Sequence, residues 1–259
     1  MKKPAGKKNL FIFLCIYAAG VLCICGMEDY IYLYPVQESN ITVRLAEEAT
    51  IRLPSSISSE SLYFTNFTIF YRLYISGVLV SSAISSPEQM RDISTALYND
   101  YNGIYPSTSN NSAATSINTS IGSLFSGRRY YELELDGENI TSVLNDGSQG
   151  EYLVINFPPR LIPTLTLGGG SSYNLWRSTG NGSFNPLPDR YFMNTSQLNA
   201  SGNVNATVNA DVADQSGISG PRYTYVAMYI VKVGRDSGTL SSIYSAPTFI
   251  GIFKLPDDE

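Results

Sequence analysis

The stretch FTNFTIFYRLYISGVLV, residues 64–80, is the part of the sequence that decides the fold. It is filled with aromatic and β-branched residues, which are typical of β-strands. With a period of two residues, Phe67 and Tyr71 fall on one face, whereas Phe70 and Tyr74 fall on the other. Because both faces are apolar, we predict a central strand that is buried on both sides.

Other β patterns lie on either side of this strand. Residues 41–45 and 49–53 alternate apolar and polar side chains, as half-buried strands do. Residues 223–255 contain the clearest hairpin, in which two β patterns are joined by a glycine-containing turn. Together these patterns predict an all-β fold, built as one antiparallel β-sandwich domain over residues 28–255.

One helix is predicted, over residues 87–102. Ser86 and Gln89 fit a capping box, and Pro87 suits the first helical position. Apolar residues follow at helical spacing, and Gly103 marks the end of the pattern. We expect an amphipathic helix that is inserted into the sandwich and lies across a sheet.

The last thirty residues resemble the end of a fibronectin type III domain. In that family a tyrosine-rich strand is followed by a glycine-containing turn, spaced serines, a proline and a final strand. The matching residues here are Tyr223, Gly238, Ser241, Ser245 and Pro247. Residues 66–75 are similar to the family's middle strand. The resemblance implies an immunoglobulin/fibronectin-like sandwich with long loop insertions, and it implies no activity by itself.

The composition excludes several kinds of catalytic site. None of the 259 residues is a histidine, which rules out a Ser-His-Asp triad, a Cys-His pair and a His-ligated zinc site. The three cysteines, Cys15, Cys23 and Cys25, all precede the predicted domain, so that domain has neither a disulfide nor a thiol nucleophile. We therefore predict no enzymatic activity, no catalytic residue, no metal site and no cofactor.

Residues 1–25 have the features of an export signal. Lysines cluster within the first eight residues, and an apolar run from Leu10 to Cys25 follows them. The acidic residues Glu28 and Asp29 come next. This charge asymmetry predicts that the body lies across the membrane, as an extracytoplasmic domain of the cell envelope.

The segment LCICG, residues 22–26, is similar to a bacterial lipobox. Leu22 fits position −3 and Gly26 follows the cysteine, while Ile24 departs from the small residue that is usual at −1. The residues that follow are also similar to the start of mature spirochaete-type surface lipoproteins. The resemblance implies a lipid on Cys25. The alternatives are an uncleaved signal anchor, for which the apolar run is short, and plain secretion.

Charge also restricts the choice of partners. The whole chain has a net charge of −5, and removal of the lysine-rich signal would make the body still more acidic. An acidic surface without a large basic cluster is a poor match for nucleic acid. We therefore expect a membrane as one partner, through the N-terminal lipid or anchor, and no nucleic acid.

Two classes of function fit these observations. The first is a membrane-tethered structural, adhesive or interaction module, whose ligand is a protein or a glycan. The alternative is a carbohydrate-binding module or a hydrolase that uses only carboxylates. It is motivated by the 19 tyrosines and by Glu132 and Glu134 on one face of a predicted strand. The same acid pair is also typical of a solvated strand edge.

A ligand face is predicted near Tyr173 and Trp176. Trp176 is the only tryptophan of the chain, and long polar segments surround it. Loops on a sandwich commonly carry recognition, and aromatic side chains offer large contact areas at a low entropic cost.

Overall fold

The computed structural model describes residues 33–44, 47–53, 63–84, 86–104, 121–135, 140–144, 152–158, 162–168, 170–177, 192, 211–213 and 220–255. These residues belong to one compact unit, Tyr32–Glu259. The predicted export signal and Cys25 lie outside the described residues. In the described ranges, no helix has both the length and the apolar character needed to cross a bilayer.

The described residues are mostly β-strands in antiparallel sheets, with few helices, which confirms the predicted class at this level. The strands are β1 (Ile41–Arg44), β2 (Glu48–Arg52), β3 (Phe64–Ser76), β4 (Tyr131–Glu132), β5 (Glu134–Leu135), β6 (Tyr152–Asn156), β7 (Thr164–Leu167), β8 (Ser172–Trp176), β9 (Val212–Ala213), β10 (Tyr223–Arg235), β11 (Ser242–Tyr244) and β12 (Thr248–Lys254). The helices are α1 (Pro87–Ile93), α2 (Thr95–Ile104), α3 (Ile121–Ser126) and α4 (Ile140–Val143), and a 3₁₀ turn spans Glu38–Asn40.

The strands form two six-stranded sheets. The outer sheet has the order β1-β2-β6-β7-β8-β5, and the central sheet has the order β11-β10-β3-β4. In the central sheet β12 also pairs with β10, and β9 pairs with β3. The short β9–β3 pair is parallel, whereas the other described pairs are antiparallel.

The two longest strands, β3 and β10, form the middle of the central sheet. Each has 13 residues, and they pair from Ser76 opposite Tyr223 to Phe64 opposite Gly234. Most of their side chains are buried, as predicted for the stretch that starts at Phe64. We call this pair of strands the β3–β10 ribbon.

The strand predicted over residues 64–80 ends at Ser76, because side chains hold the next residues in a loop. The Ser76 hydroxyl accepts a hydrogen bond from the Val78 N–H at 3.0 Å. The Tyr225 hydroxyl donates to the Val78 carbonyl at 2.7 Å and accepts from the Val80 N–H at 2.9 Å. These bonds satisfy backbone groups that a longer strand would have used.

The two sheets face each other across an apolar core, in keeping with a β-sandwich. On the outer sheet, Ile51, Leu153 and Leu165 point inwards and are fully buried. After β6, the Phe157 ring stacks on Phe253 of β12 at a centroid distance of 5.0 Å. Burial of such side chains is worth roughly 1.5–3 kcal/mol each, so this layer is a main source of stability.

Helices cover the other face of the central sheet. Apolar residues of α1, α2 and α3 pack on it in one buried cluster, which includes Met90, Leu97, Phe125, Tyr225 and Tyr229. The predicted amphipathic helix therefore does lie across a sheet, and a third layer is added to the sandwich.

The predicted helix over residues 87–102 differs from the structure at two points. Its end is wrong, since α2 continues through Gly103 to Ile104, and it is interrupted. The capping box of Ser86 and Gln89 is present, but the helix is divided at Ser94 into α1 and α2. Ser94 has an extended backbone, with φ −159° and ψ 130°. Its hydroxyl accepts from the Leu97 N–H at 3.5 Å, so serine caps the second helix instead of continuing the first.

Candidate functional site

The solvent side of the outer sheet carries a regular array of polar side chains. Strand side chains alternate, so Thr50 points outwards between the buried Ala49 and Ile51. Strand register places the outward residues of β1, β2, β6, β7 and β8 in two rows. The first row is Thr42, Thr50, Val154, Thr166 and Ser172, and the second is Glu48, Asn156, Thr164 and Asn174. We call these nine residues the polar face.

The polar face offers hydrogen-bonding groups at a fixed spacing. Neighbouring strands lie about 4.8 Å apart, so hydroxyl and amide groups repeat at that interval. Thr42 and Ser172 are exposed, and the residues between them are half-buried. The Thr166 and Ser172 hydroxyls lie 3.0 Å apart and share a hydrogen bond. Glu48 is the one carboxylate among these nine residues, and the hydroxyl and amide groups suit a ligand that is rich in hydroxyl groups.

The residues of the predicted ligand face, Tyr173 and Trp176, both lie on β8. Tyr173 is half-buried and pairs with Leu165 of β7. Trp176 is only 5% exposed and pairs with Glu134 of β5. A ligand face at these two residues stays a prediction, and in this structure little of the indole surface reaches solvent.

The carboxylates Glu132 and Glu134 lie on two successive short strands of different sheets. Glu132 in β4 pairs with Phe70 of the central sheet, and Glu134 in β5 pairs with Trp176 of the outer sheet. Leu133, which lies between them, is fully buried. The chain therefore passes from one sheet to the other here, with both acids close to the crossing point.

The pKa of the Glu132 carboxyl is raised. Burial is the main cause and the charge of Glu134 adds to it, while a hydrogen bond from the Thr68 hydroxyl acts in the opposite direction. A raised folded-state pKa means that the folded protein holds this proton more tightly, so stability falls as pH rises through that range. Because part of Glu132 remains exposed, solvent screens the effect. Chemically, such a carboxyl could act as a proton donor.

A buried polar network fastens α2 to the central sheet. Asp100 accepts hydrogen bonds from Arg72 at 2.5 Å and from the Tyr74 hydroxyl at 2.6 Å. The Tyr74 and Tyr130 hydroxyls lie 2.9 Å apart. Burial, followed by the charge of Asp100, raises the pKa of Tyr74 well above its ordinary value. The phenol therefore stays protonated, and the network is best explained as a structural one.

A second buried ion pair lies between the sheets. The Arg177 guanidinium donates to both carboxylate oxygens of Asp211, at 2.8 Å and 2.5 Å, and the two side chains are 3% and 2% exposed. Burial alone would lower the pKa of Arg177, but the hydrogen bond and charge of Asp211 raise it. The Asp211 carbonyl also accepts the Leu73 N–H at 3.0 Å. This pair therefore joins the end of β8 to the central sheet.

No group of three or more potential metal ligands occurs within the ranges that the structure describes. Comparisons of the chain with protein-family models, with curated proteins and with solved structures found no match. The polar face was missed by sequence reasoning. Its signal was the alternation of Thr and Asn with apolar residues, but the order of the strands is needed to assemble it.

Proposed function

We propose that this chain is an exported lipoprotein of the cell envelope, tethered to the membrane through Cys25, whose extracytoplasmic domain is a structural, adhesive or interaction module. The observation that carries the proposal is the segment LCICG, residues 22–26, at the end of a lysine-flanked apolar run. In this proposal Cys25 becomes the first residue of the mature chain and bears the lipid.

The proposal includes a fibronectin-like type of sandwich. Support comes from the hairpin of β10 with β11 and β12, in which both later strands pair with β10. Pro247 lies between β11 and β12, where the resemblance requires a proline. The added helical layer and the breadth of the outer sheet are features that this chain would have beyond the common pattern.

A binding role, rather than a catalytic one, is supported by how the surface groups are held. The polar face lies on paired strands, and rigid elements position side chains more accurately than loops do. The same strands bury Ile51, Leu153 and Leu165 on their inner side, which fixes the orientation of the outward residues. A surface of this kind can recognise a ligand without any reacting group.

The intact mass of the membrane-extracted protein tests the tether. We expect a mature chain that begins at Cys25 and carries added acyl mass, and we expect Cys25→Ala to lose both cleavage and acylation. Cys23→Ala is the matched control and should be processed like the wild type. A full-length wild-type mass without acyl groups would refute lipidation and favour a signal anchor.

The polar face favours a second candidate, a carbohydrate-binding module. Its hydroxyl and amide rows match the hydrogen-bonding groups of a glycan, and the exposed Tyr152 lies on the same side of β6. This candidate includes a carboxylate-only hydrolase, in which Glu132 and Glu134 would be the two carboxyl groups.

Glycan binding by the polar face can be tested with threonine variants. The double variant Thr50→Val/Thr166→Val removes two hydroxyl groups and keeps the shape of the side chains. Each lost hydrogen bond costs about 1 kcal/mol of binding free energy. A polysaccharide that binds the wild type should therefore bind the double variant roughly tenfold or more weakly. Thr95→Val, at an exposed threonine on α2, is the control and should bind like the wild type. Equal binding by all three proteins, or no binding of any polysaccharide in a panel, would count against this candidate.

A further inference from the structure

The β3–β10 ribbon gives the domain two distinct ends. Thirteen residues of strand cover about 40 Å. At one end the chain leaves Ser76 for the loop that contains Leu79. At the other end Arg235 leads into a tight turn, residues 236–241, which connects β10 to β11. We call the second end the hairpin end.

The described chain begins at the hairpin end. A Cβ on Gly234 would lie only 2.9 Å from the Leu33 Cδ1 atom, so Leu33 packs directly on this glycine. Further along, the Val36 carbonyl accepts a hydrogen bond from the Thr248 hydroxyl at 2.6 Å. Because Gly234 pairs with Ile243, and Thr248 lies further along the same edge, the chain runs away from the hairpin end as it enters the fold.

The length of the preceding chain limits how far this end can lie from the proposed lipid. Eight peptide steps join Cys25 to Leu33. Fully extended, they reach at most about 29 Å. This is less than the length of the β3–β10 ribbon, so the hairpin end is the end that the proposed tether keeps near the bilayer. The position of the hairpin end near the bilayer thus rests on the proposed function.

Leu240, in the turn at the hairpin end, has an unusual environment. It is 63% exposed, more than any other large apolar side chain in the described ranges. Its φ is 59°, in the left-handed region that residues with a side chain rarely adopt. Backbone outliers of this kind persist only where the surrounding structure enforces them, and they are enriched at functional positions.

The turn holds Leu240 rigidly in this exposed position. The Leu240 N–H donates to the Asp236 carbonyl at 2.8 Å, and the Asp236 N–H donates to the Ser241 carbonyl at 2.9 Å. The Asp236 carboxylate accepts from the Gly238 N–H at 2.7 Å and from the Thr239 hydroxyl at 2.9 Å. The carboxylate is thus bonded within the turn itself, and the apolar side chain of Leu240 projects into solvent.

Tyr34 adds an amphipathic side chain at the same end. It directly follows Leu33 and is 46% exposed. Tyrosine is enriched where one end of the ring is in apolar and the other in aqueous surroundings, as at the boundary between lipid headgroups and acyl chains. An exposed leucine and an exposed tyrosine, both on the end of the domain closest to the proposed lipid, are therefore well suited to that boundary.

We propose that Leu240 and Tyr34 contact the bilayer interface and orient the tethered domain with its hairpin end on the membrane. The lipid partner is a zwitterionic phospholipid, because the chain is acidic overall and offers no large basic cluster for anionic headgroups. The proposal adds a second, reversible contact to the covalent tether.

Tryptophan quenching by lipid can test this contact in the mature, membrane-extracted protein. The variant Leu240→Trp is reconstituted in phosphatidylcholine vesicles whose acyl chains are brominated close to the headgroup. We expect its emission to shift to shorter wavelength and to be quenched, relative to unbrominated vesicles. Native Trp176 is buried, and the emission of the wild type supplies the baseline.

The matched control is Leu79→Trp, at a leucine that is 53% exposed at the opposite end of the ribbon. It should show no quenching, and Tyr34→Trp should behave like Leu240→Trp. Equal quenching at both ends, or quenching at neither end while the protein still floats with the vesicles, would overturn the proposed orientation but leave the tether intact. Failure of the wild type to float with vesicles would overturn the tether and this proposal together.

Discussion

Replacing Asp211 with alanine should lower the free energy of unfolding by about 3–5 kcal/mol, the range found when one partner of a buried ion pair is removed. The reason is the surroundings of Arg177, whose guanidinium is 3% exposed and directs two hydrogen bonds at Asp211. Arginine cannot shed its proton, so without Asp211 a buried positive charge would be left uncompensated. Urea denaturation followed by circular dichroism measures the loss.

Two further variants separate the effect of the unpaired charge on stability from the effect of substituting an aspartate in general. The double variant Arg177→Met/Asp211→Leu removes both charges at once, and we expect it to be more stable than Asp211→Ala. Asp92→Ala, at an exposed aspartate on α1, should change stability by no more than about 0.5 kcal/mol. If Asp211→Ala and Asp92→Ala proved equally stable, the ion pair would have no structural role.

Gly234→Ala should destabilise the domain by about 1–3 kcal/mol, the usual effect of an overpacked core position. A Cβ at this position would lie 2.5 Å from the Tyr63 carbonyl oxygen and 2.9 Å from Leu33. The carbonyl belongs to the backbone and already accepts the Arg235 N–H at 2.7 Å, so it cannot move aside without breaking that bond. A lowered midpoint of thermal unfolding is the expected result.

Gly238 provides the matched control within the same hairpin. There the nearest atom to an added Cβ is the Asp236 Oδ1 atom at 3.4 Å, an ordinary van der Waals contact. Alanine at this position also restricts the unfolded chain, so stability should be unchanged or rise by up to about 1 kcal/mol. An equal loss of stability in both alanine variants would mean that the contact with Tyr63 does not explain why position 234 requires glycine.

The elements that could be predicted are those whose signals are local. The alternation within residues 64–76 marks a strand buried on both faces, and the capping box at Ser86 marks a helix start. The break at Ser94 was harder to foresee. Serine is tolerated inside a helix, and only the capping geometry at Leu97 shows that the chain begins a second helix there.

The features that could not be predicted depend on contacts between distant segments. The polar face requires the order of the strands in the outer sheet, and period-two patterns do not contain that order. Asp211 lies 34 residues beyond Arg177 in the chain, so their pairing has no sequence signature. The high tyrosine content motivates a carbohydrate-binding surface, yet the buried Tyr74 anchors α2 through Asp100.

The β3–β10 ribbon also has a consequence for the time course of folding. Hydrogen bonds across it and beside it join residues that are 147 to 168 positions apart in the chain. Folding rates fall as the sequence separation of contacting residues grows, because the entropy of loop closure is lost before the contacts can stabilise the chain. A growing chain cannot close its central sheet until β10 has been synthesised, and the apolar faces of β3 remain without their partner until then. In the export that we propose, this delay would favour an unfolded chain during passage through a translocation pore. The apolar faces of β3 would also need protection from aggregation until β10 pairs with them.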